Sequence, residues 1–176
     1  CCSISGYGES GPYAQRKAYD LLIQAESGLS SVTGGPEGPA RVGVSVVDIA
    51  AGLNAYEAIL EALIGRSRTG EGSAISVSMF DAMAEWMGFP LYYAHDGAAP
   101  PPRSGAAHAT IYPYGPFPAG DGGVVMLGLQ NEREWQVFCA QVLEQPGLAS
   151  DERFNTNARR TAAREALREI IVQRVT

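Results

Sequence analysis

The feature that most constrains the fold is a short apolar run that ends in one acidic residue. Residues 41–47 are rich in β-branched side chains and lead directly into Asp48. Behind Asp48, large apolar residues recur at helical spacing: Ile49, Leu53, Tyr56, Leu60 and Leu63. The pattern predicts a strand-like approach to a long helix that holds Asp48 in its first turn and ends near Arg66.

Asp48 has two interpretations at this position. Aspartate commonly caps a helix, because its side chain accepts a hydrogen bond from the free N–H groups of the first turn. The helix dipole also favours the anionic form of the side chain. A carboxylate that is already ionised can act as a nucleophile without a base to deprotonate it. The residues alone favour the cap.

Strands and helices alternate through the first half of the chain. Residues 1–5 predict a strand, and residues 19–27 predict a helix that ends at Gly28. Residues 74–79 alternate like a second strand, and residues 80–93 predict a second long helix.

A proline-rich segment then divides the chain. We expect residues 1–97 and 106–176 to form parts of two domains, joined by a linker at 98–105. In the second part, residues 110–119 and 124–129 predict a hairpin, and a charged helix is expected from Arg159 onward, with its packing partner outside this chain. Both ends lack helix stop or start signals, so we expect a piece of a longer protein.

Composition excludes several classes of protein. The 176 residues carry a net charge of −6 and no basic stripe, which argues against a nucleic-acid partner. Three cysteines without metal-ligand spacing predict neither a disulfide framework nor a metal site, and they fit reduced thiols in the cytoplasm. No apolar run is long enough to span a membrane. An anionic ligand would need a local basic cluster, with these candidates: Arg16, Lys17, Arg41, Arg66 and Arg68.

Four segments share an order and spacing that are specific in combination: residues 5–13, 19–29, 42–53 and 68–83. Together they resemble the family III CoA-transferases, which include formyl-CoA transferase, carnitine CoA-transferase and alpha-methylacyl-CoA racemases. The resemblance implies an α/β fold, in which a Rossmann-like large domain is joined to a small α+β domain. It further implies a cytoplasmic homodimer of two interlocked chains, of which this chain would be a central segment.

The same resemblance assigns chemistry to Asp48. In that family the residue at this position attacks an acyl-CoA thioester and forms an acyl-aspartyl anhydride, followed by an aspartyl-CoA thioester. CoA enters as the acyl-CoA substrate, and no permanently bound cofactor is implied. An anhydride must be kept from water, and Gly43 beside Asp48 fits a backbone that approaches the acyl group closely. Gly52 has the same potential role, or it allows close helix packing.

Other positions carry over as weaker candidates. Tyr19 and Asp20 stand where the family's transferases have an aromatic–acid pair beside the nucleophile, although Asp20 could simply cap its own helix. Lys17 stands where formyl-CoA transferase has a lysine that contacts CoA, and Arg16 is grouped with it as a candidate CoA contact. A solvated surface lysine is the alternative for Lys17.

Departures from the family pattern narrow the reaction. The racemases carry a histidine in place of Tyr19 and a glutamate near Asn131, so this chain lacks the bases that proton removal requires. Arg103 and His108 are candidates for holding the far carboxylate of an acid, since an arginine fork suits that geometry. A structural histidine is the alternative for His108. The surrounding sequence resembles members that act on short dicarboxylic acids.

Three functions therefore remain open from the sequence. The first is CoA transfer to a short dicarboxylic acid through Asp48, for which we expect the isolated segment to be inactive. The second is racemase or isomerase chemistry on the same fold. The third is a non-catalytic acyl-CoA-binding protein.

Overall fold

A computed structural model describes all 176 residues. The chain forms two compact units, Cys1–Arg103 and Ser104–Thr176. The boundary between them falls inside the proline-rich segment 98–105. Both units mix helices with short strands, which confirms the α/β class. The assignment of 1–97 and 106–176 to two domains of a larger protein stays a prediction.

The first unit contains four short strands and five helices. Its elements are β1 (Cys2–Ser5), α1 (Asp20–Glu26), α2 (Leu29–Val32), β2 (Gly34–Gly35), β3 (Gly38–Pro39), α3 (Val46–Thr69), β4 (Ile75–Ser78), α4 (Met79–Trp86) and α5 (Gly88–Tyr93). A 3₁₀ turn follows at His95–Gly97.

A parallel strand pair organises this unit. β1 and β4 run side by side from the Cys2–Ile75 pair to the Ser5–Ser78 pair, and α3 lies between them in the sequence. Parallel strands need such a crossover, so this is a β–α–β arrangement. Its main core joins α1, α3 and α4 through these buried residues: Ile23, Val46, Val47, Ala50, Ala82 and Met83.

Helix α3 packs through its small side chains. Val46 and Val47 are buried at its start, followed by Ala50, Ala51 and Ala55. The large apolar stripe that predicted the helix lies on the opposite side and is exposed: Ile49, Leu53, Tyr56, Leu60 and Leu63. The helix prediction is confirmed, with an end at Thr69 rather than near Arg66. Gly70 ends it in the left-handed conformation, at φ 80°.

Two local predictions in this unit are wrong. Residues 41–45 form no strand before α3, and the Val42 N–H donates to the Gln24 side chain of α1 rather than to a neighbouring strand. The helix expected over 80–93 is broken at Met87 into α4 and α5. Pro90 has no N–H with which to continue the helix ladder, and Gly88 weakens the helix further.

The second unit is a hairpin covered by helices. β5 (Tyr114–Pro118) pairs antiparallel with β6 (Val124–Gly128), and α6 (Glu132–Gln141), α7 (Asn157–Ala162) and α8 (Arg164–Val175) follow. A 3₁₀ turn lies at Pro146–Ala149. The predicted hairpin is confirmed, although its first strand begins at Tyr114 rather than at residue 110. The core is largely aromatic and aliphatic: Tyr112, Phe117, Trp135, Phe138, Cys139, Leu143, Leu148, Phe154, Leu167 and Ile171.

The C-terminal helices find their packing partners inside this unit. Leu167 and Ile171 of α8 are fully buried in its core, so the expectation that this helix packs outside the chain is wrong. Arg160 of α7 is also buried, and its guanidinium stacks 5.0 Å from the ring centroid of Trp135. It also donates to the carbonyl oxygens of Tyr112 and Phe154, at 3.0 Å each.

Candidate functional site

Asp48 is the third residue of α3 and lies on its exposed side. No hydrogen bond or ion pair from the chain reaches its carboxylate. It lies in the first turn of a 24-residue helix, where the positive end of the helix dipole attracts negative charge. The arrangement leaves the carboxylate open to an incoming ligand.

The interpretation of Asp48 as the helix cap is wrong. The N-cap of α3 is Ser45, whose side chain makes no capping hydrogen bond. The cap comes from α1 instead, because the Val47 N–H donates to Oδ1 of the buried Asp20 at 2.9 Å. Asp20 therefore does not cap its own helix, which begins after Tyr19 without any side-chain cap. A carboxylate from a distant part of the sequence holds the start of α3.

Gln24 completes this contact, and sequence reasoning missed it. Its Nε2 donates to Asp20 Oδ2 at 2.7 Å, and its Oε1 accepts from the Val42 N–H at 2.8 Å. The side chain of Gln24 is fully buried. The spacing of four residues between Asp20 and Gln24 on a predicted helix was the available signal, since such residues share a helix face.

Gly43 lies in the exposed segment between these two anchored amides. Its carbonyl oxygen accepts from Arg41 Nη2 at 2.6 Å. A β-carbon at Gly43 would meet no atom within 4 Å, and the same holds at Gly52. Close helix packing therefore does not explain Gly52 in this chain. There is thus open space beside both glycines, one of which precedes Asp48 in the sequence while the other follows it.

Tyr19 and Lys17 lie together at the start of α1. The Tyr19 side chain is exposed, and Lys17 Nζ lies 5.3 Å from the centroid of its ring. This distance suits a cation–π contact. Since Tyr19 directly precedes Asp20, this pair adjoins the residue that caps α3.

Arg16 belongs to an exposed polar cluster. It forms an ion pair with Glu26 at 2.5 Å, and its guanidinium lies 4.4 Å from the ring centroid of Tyr13. The Tyr7 hydroxyl also hydrogen-bonds Glu26. These hydrogen bonds, that of Tyr7 first and then that of Arg16, lower the pKa of Glu26. Arg16 and Lys17 both line a shallow cavity of about 370 Å³, so the structure brings the two candidate CoA contacts together.

Arg103 and His108 lie in different units. Arg103 Nε donates to the Gly35 carbonyl at 3.2 Å, and its Nη1 donates to the Ser31 carbonyl at 3.1 Å. These bonds tie Arg103 of the proline-rich segment to β2 and α2.

The His108 ring is engaged by its own loop. Its Nδ1 accepts from the backbone N–H groups of Thr110 and Ile111, at 3.1 Å each. The ring also lies 5.3 Å from that of Tyr114, centroid to centroid. An accepting Nδ1 carries no proton, which leaves the proton of a neutral ring on Nε2.

Two further polar residues lie at helix starts. Asn131 caps α6, with its side chain accepting from the Glu134 N–H at 2.9 Å. Asp81 is the third residue of α4 and is exposed, and the cap of that helix is Ser78. Asp81 thus occupies in α4 the position that Asp48 occupies in α3.

The structure contains no group of three or more histidine, cysteine, aspartate or glutamate side chains placed to hold a metal ion. None of its helices combines the length and apolar character that a membrane crossing needs.

Comparison with known proteins gives one consistent result. Residues 1–176 match the family model described as CoA-transferase family III. Succinate–glutarate CoA-transferase of Agrobacterium fabrum is 37% identical over 171 residues, covering 97% of this chain and 42% of that protein. Succinyl-CoA:glutarate CoA-transferase of Homo sapiens is 36% identical over 174 residues, covering 98% of this chain and 39% of that protein.

A solved structure agrees with these matches. The crystal structure of a CAIB/BAIF family protein from Brucella suis has a TM-score of 0.78 and 38% sequence identity, and the match covers 99% of this chain and 46% of that one. The chain thus spans less than half the length of the relatives that it matches.

Proposed function

The chain belongs to CoA-transferase family III, and from that premise we propose that it carries the nucleophile of a CoA-transferase. The enzyme would move CoA from an acyl-CoA thioester to a short dicarboxylic acid, with Asp48 as the nucleophile. The observation that carries this proposal is the exposed, unpaired carboxylate of Asp48 beside a helix start that Asp20 already caps. Asp48 is not needed for the capping contact and is open to a substrate.

The first half of the reaction makes two covalent intermediates. A carboxylate oxygen of Asp48 attacks the thioester carbonyl carbon, the C–S bond breaks, and CoA leaves as a thiolate. The product is a mixed anhydride between Asp48 and the acyl group. The thiolate then attacks the Asp48 carbonyl carbon of that anhydride. This attack releases the donor acid as a carboxylate and leaves an Asp48–CoA thioester.

The second half reverses these events with the acceptor acid. Its carboxylate attacks the Asp48–CoA thioester and forms a second anhydride, again with release of CoA thiolate. The thiolate attacks the acyl carbon of the acceptor, which leaves as its CoA thioester and regenerates the Asp48 carboxylate. No net proton is taken up or released, so the cycle needs no general base at position 48.

The substrate class follows from the relatives and from two side chains. The names of two relatives specify succinate and glutarate, which are both short dicarboxylic acids. We keep Arg103 and His108 as proposed contacts of the far carboxylate. Arg16 and Lys17 are the proposed contacts of CoA, since both line one cavity.

Tyr19, Asp20 and Gly43 are proposed to shape the surroundings of Asp48. We further propose a cytoplasmic homodimer in which CoA enters only as substrate, with no permanently bound cofactor. In this proposal the 176 residues alone do not complete the site, so tests belong in the longest natural chain that contains them.

The decisive experiment traps the covalent intermediate. The protein is incubated with succinyl-CoA and quenched with hydroxylamine, and peptide mass spectrometry locates the modified residue. We expect a hydroxamate on Asp48 that is absent in Asp48→Asn. Asp81→Asn is the matched control, since it removes an exposed carboxylate from the same position of another helix.

Two other outcomes would replace the proposal. Acyl-CoA binding without any adduct, from several donors, would favour a non-catalytic acyl-CoA-binding protein. Deuterium exchange at the carbon next to the thioester, unaffected by Asp48→Asn, would favour a racemase or isomerase.

A further inference from the structure

We infer that Gln24 is a positioning residue for Asp48, and this inference rests on the proposed function. Gln24 does not touch the exposed side of α3. Its amide instead joins the capping carboxylate of Asp20 to the backbone of Val42, on the far side of the segment that leads to Asp48.

The segment between residues 42 and 47 has few other anchors. It belongs to no strand, and residues 43–45 are exposed. Its first amide, that of Val42, donates to Gln24, and its last, that of Val47, donates to Asp20. Both ends are therefore fixed to α1, and Asp48 follows one residue after the second anchor. A shift of either anchor would move the Asp48 carboxylate.

The order of donors and acceptors makes this contact specific. The backbone N–H groups of Val42 and Val47 approach the Asp20–Gln24 pair from opposite ends. The two side chains must therefore accept two hydrogen bonds from the backbone and form one hydrogen bond with each other. A carboxylate at 20 and an amide at 24 meet this requirement. Gln24 is fully buried and Asp20 nearly so, which limits the ability of water to replace a missing partner.

The same reasoning predicts which substitutions fail. Gln24→Glu removes the donor and sets two carboxylates against each other. Asp20→Asn adds a donor, so that either the bond to Gln24 or the bond from Val42 must be lost. The double variant Asp20→Asn with Gln24→Glu reverses the central bond and restores all three hydrogen bonds. The pair thus offers a double-mutant cycle in which two harmful changes cancel.

The test measures the rate of adduct formation on Asp48 with saturating succinyl-CoA. Each single variant should slow this rate by about tenfold or more, as expected for one lost buried hydrogen bond. The double variant should return to within about threefold of the wild-type rate. Acyl-CoA affinity should stay within about threefold of wild type in all three, since the Gln24 side chain is fully buried and Asp20 nearly so.

Hydrogen exchange supplies a readout that does not depend on activity. At least one of the Val42 and Val47 amides should exchange faster in each single variant, because the two side chains no longer hold each other in place. Both amides should regain protection in the double variant. Gln136→Glu is the matched control, because it makes the same chemical change on the exposed surface of α6. It should leave both rates unchanged.

Each remaining outcome is informative. The single variants could lose thermal stability and still form the adduct at the wild-type rate below their melting temperature. That result would show that Gln24 has only a structural role. A double variant that is folded and protected but slow would also overturn the inference. If a single variant fails to fold, the comparison of the double variant with wild type is the test. Transfer that persists in Asp48→Asn would instead refute the proposed function, whatever the exchange data show.

Discussion

Glu132 and Arg160 form an ion pair of 2.7 Å, in which the arginine side chain is 1% exposed and the glutamate side chain 48% exposed. The pair links the start of α6 to α7. Glu132 Oε1 also accepts from the Asn157 N–H at 3.1 Å. One carboxylate therefore binds both a backbone N–H and a guanidinium group of α7. The buried guanidinium has only this one carboxylate as a charge partner.

We predict that Glu132→Gln destabilises the second unit. Loss of the charge leaves Arg160 buried without a counterion. Because the Glu132 side chain is half-exposed, solvent screens part of this effect, and we expect a loss of roughly 1 to 2 kcal/mol. Urea denaturation would measure this change in the free energy of unfolding. Glu169→Gln on the exposed side of α8 is the control, and it should change stability little.

The same pair predicts a pH dependence. The hydrogen bond from Arg160 lowers the pKa of Glu132 below its ordinary value of 4.5. A lowered folded pKa means that the stabilisation is complete above about pH 4.5 and is lost as the pH falls through the folded value. Glu132→Gln should therefore flatten the acid side of a stability curve. An unchanged slope would mean that other carboxylates dominate the acid side of the curve.

Asp20 and Asp48 should differ sharply in their effect on folding. Asp20→Ala leaves two buried donors unpaired, on Val47 and Gln24, and should cost roughly 2 to 3 kcal/mol. Asp48→Ala removes only an exposed charge near the helix start and should cost at most about 1 kcal/mol. Denaturant unfolding of both variants checks the order, and equal losses would contradict the assignment of the cap to Asp20.

Cys139 should resist thiol reagents in the folded protein. Burial raises its pKa to about 11, so almost no thiolate is present near neutral pH. Peptide mapping after treatment with iodoacetamide should find Cys139 unmodified in native protein and modified in urea. The exposed Cys1 and Cys2 serve as internal references that react without denaturant. Fast native labelling of Cys139 would show that its core opens readily.

Arg103 offers a test of acid recognition. If its guanidinium holds the far carboxylate, Arg103→Lys should raise KM for a dicarboxylic acceptor by about tenfold and leave a monocarboxylic acceptor unchanged, because lysine cannot form the paired hydrogen bonds. Steady-state kinetics with matched acids measures the split. Equal effects on both acids would leave Arg103 only as the clamp on Ser31 and Gly35.

Local signals predicted much of the fold, and long-range contacts account for most of the errors. Gly28 correctly marked a helix end, because a left-handed residue there needs only local information. The segment before α3 looked like a strand because β-branched residues favour extended backbone. Its real partners, Gln24 and Asp20, lie 18 and 27 residues away in sequence from the amides that they accept from. The break at Met87 was different, since Gly88 and Pro90 did signal it.

In the candidate site, too, local signals identified some features, and others depend on long-range contacts. Asp48 could be identified because an acidic residue in the first turn of a predicted helix is recognisable from the sequence alone. Whether such a residue caps its helix depends on what else reaches the helix start, and α1 decides that here. The sequence also did not show which face of α3 is buried, because the alanines pack in the core and the larger apolar side chains are exposed.

The transfer of the capping role to Asp20 has a consequence for how sequences of this kind diverge. Position 48 carries almost no folding constraint, so under the proposed function a substitution there would remove the nucleophile and leave the fold intact. Substitutions at 20 or 24 would instead weaken the fold. Under the same proposal, a relative that keeps this aspartate–glutamine pair but lacks an acid at position 48 would be a folded protein without the acyl-transfer nucleophile.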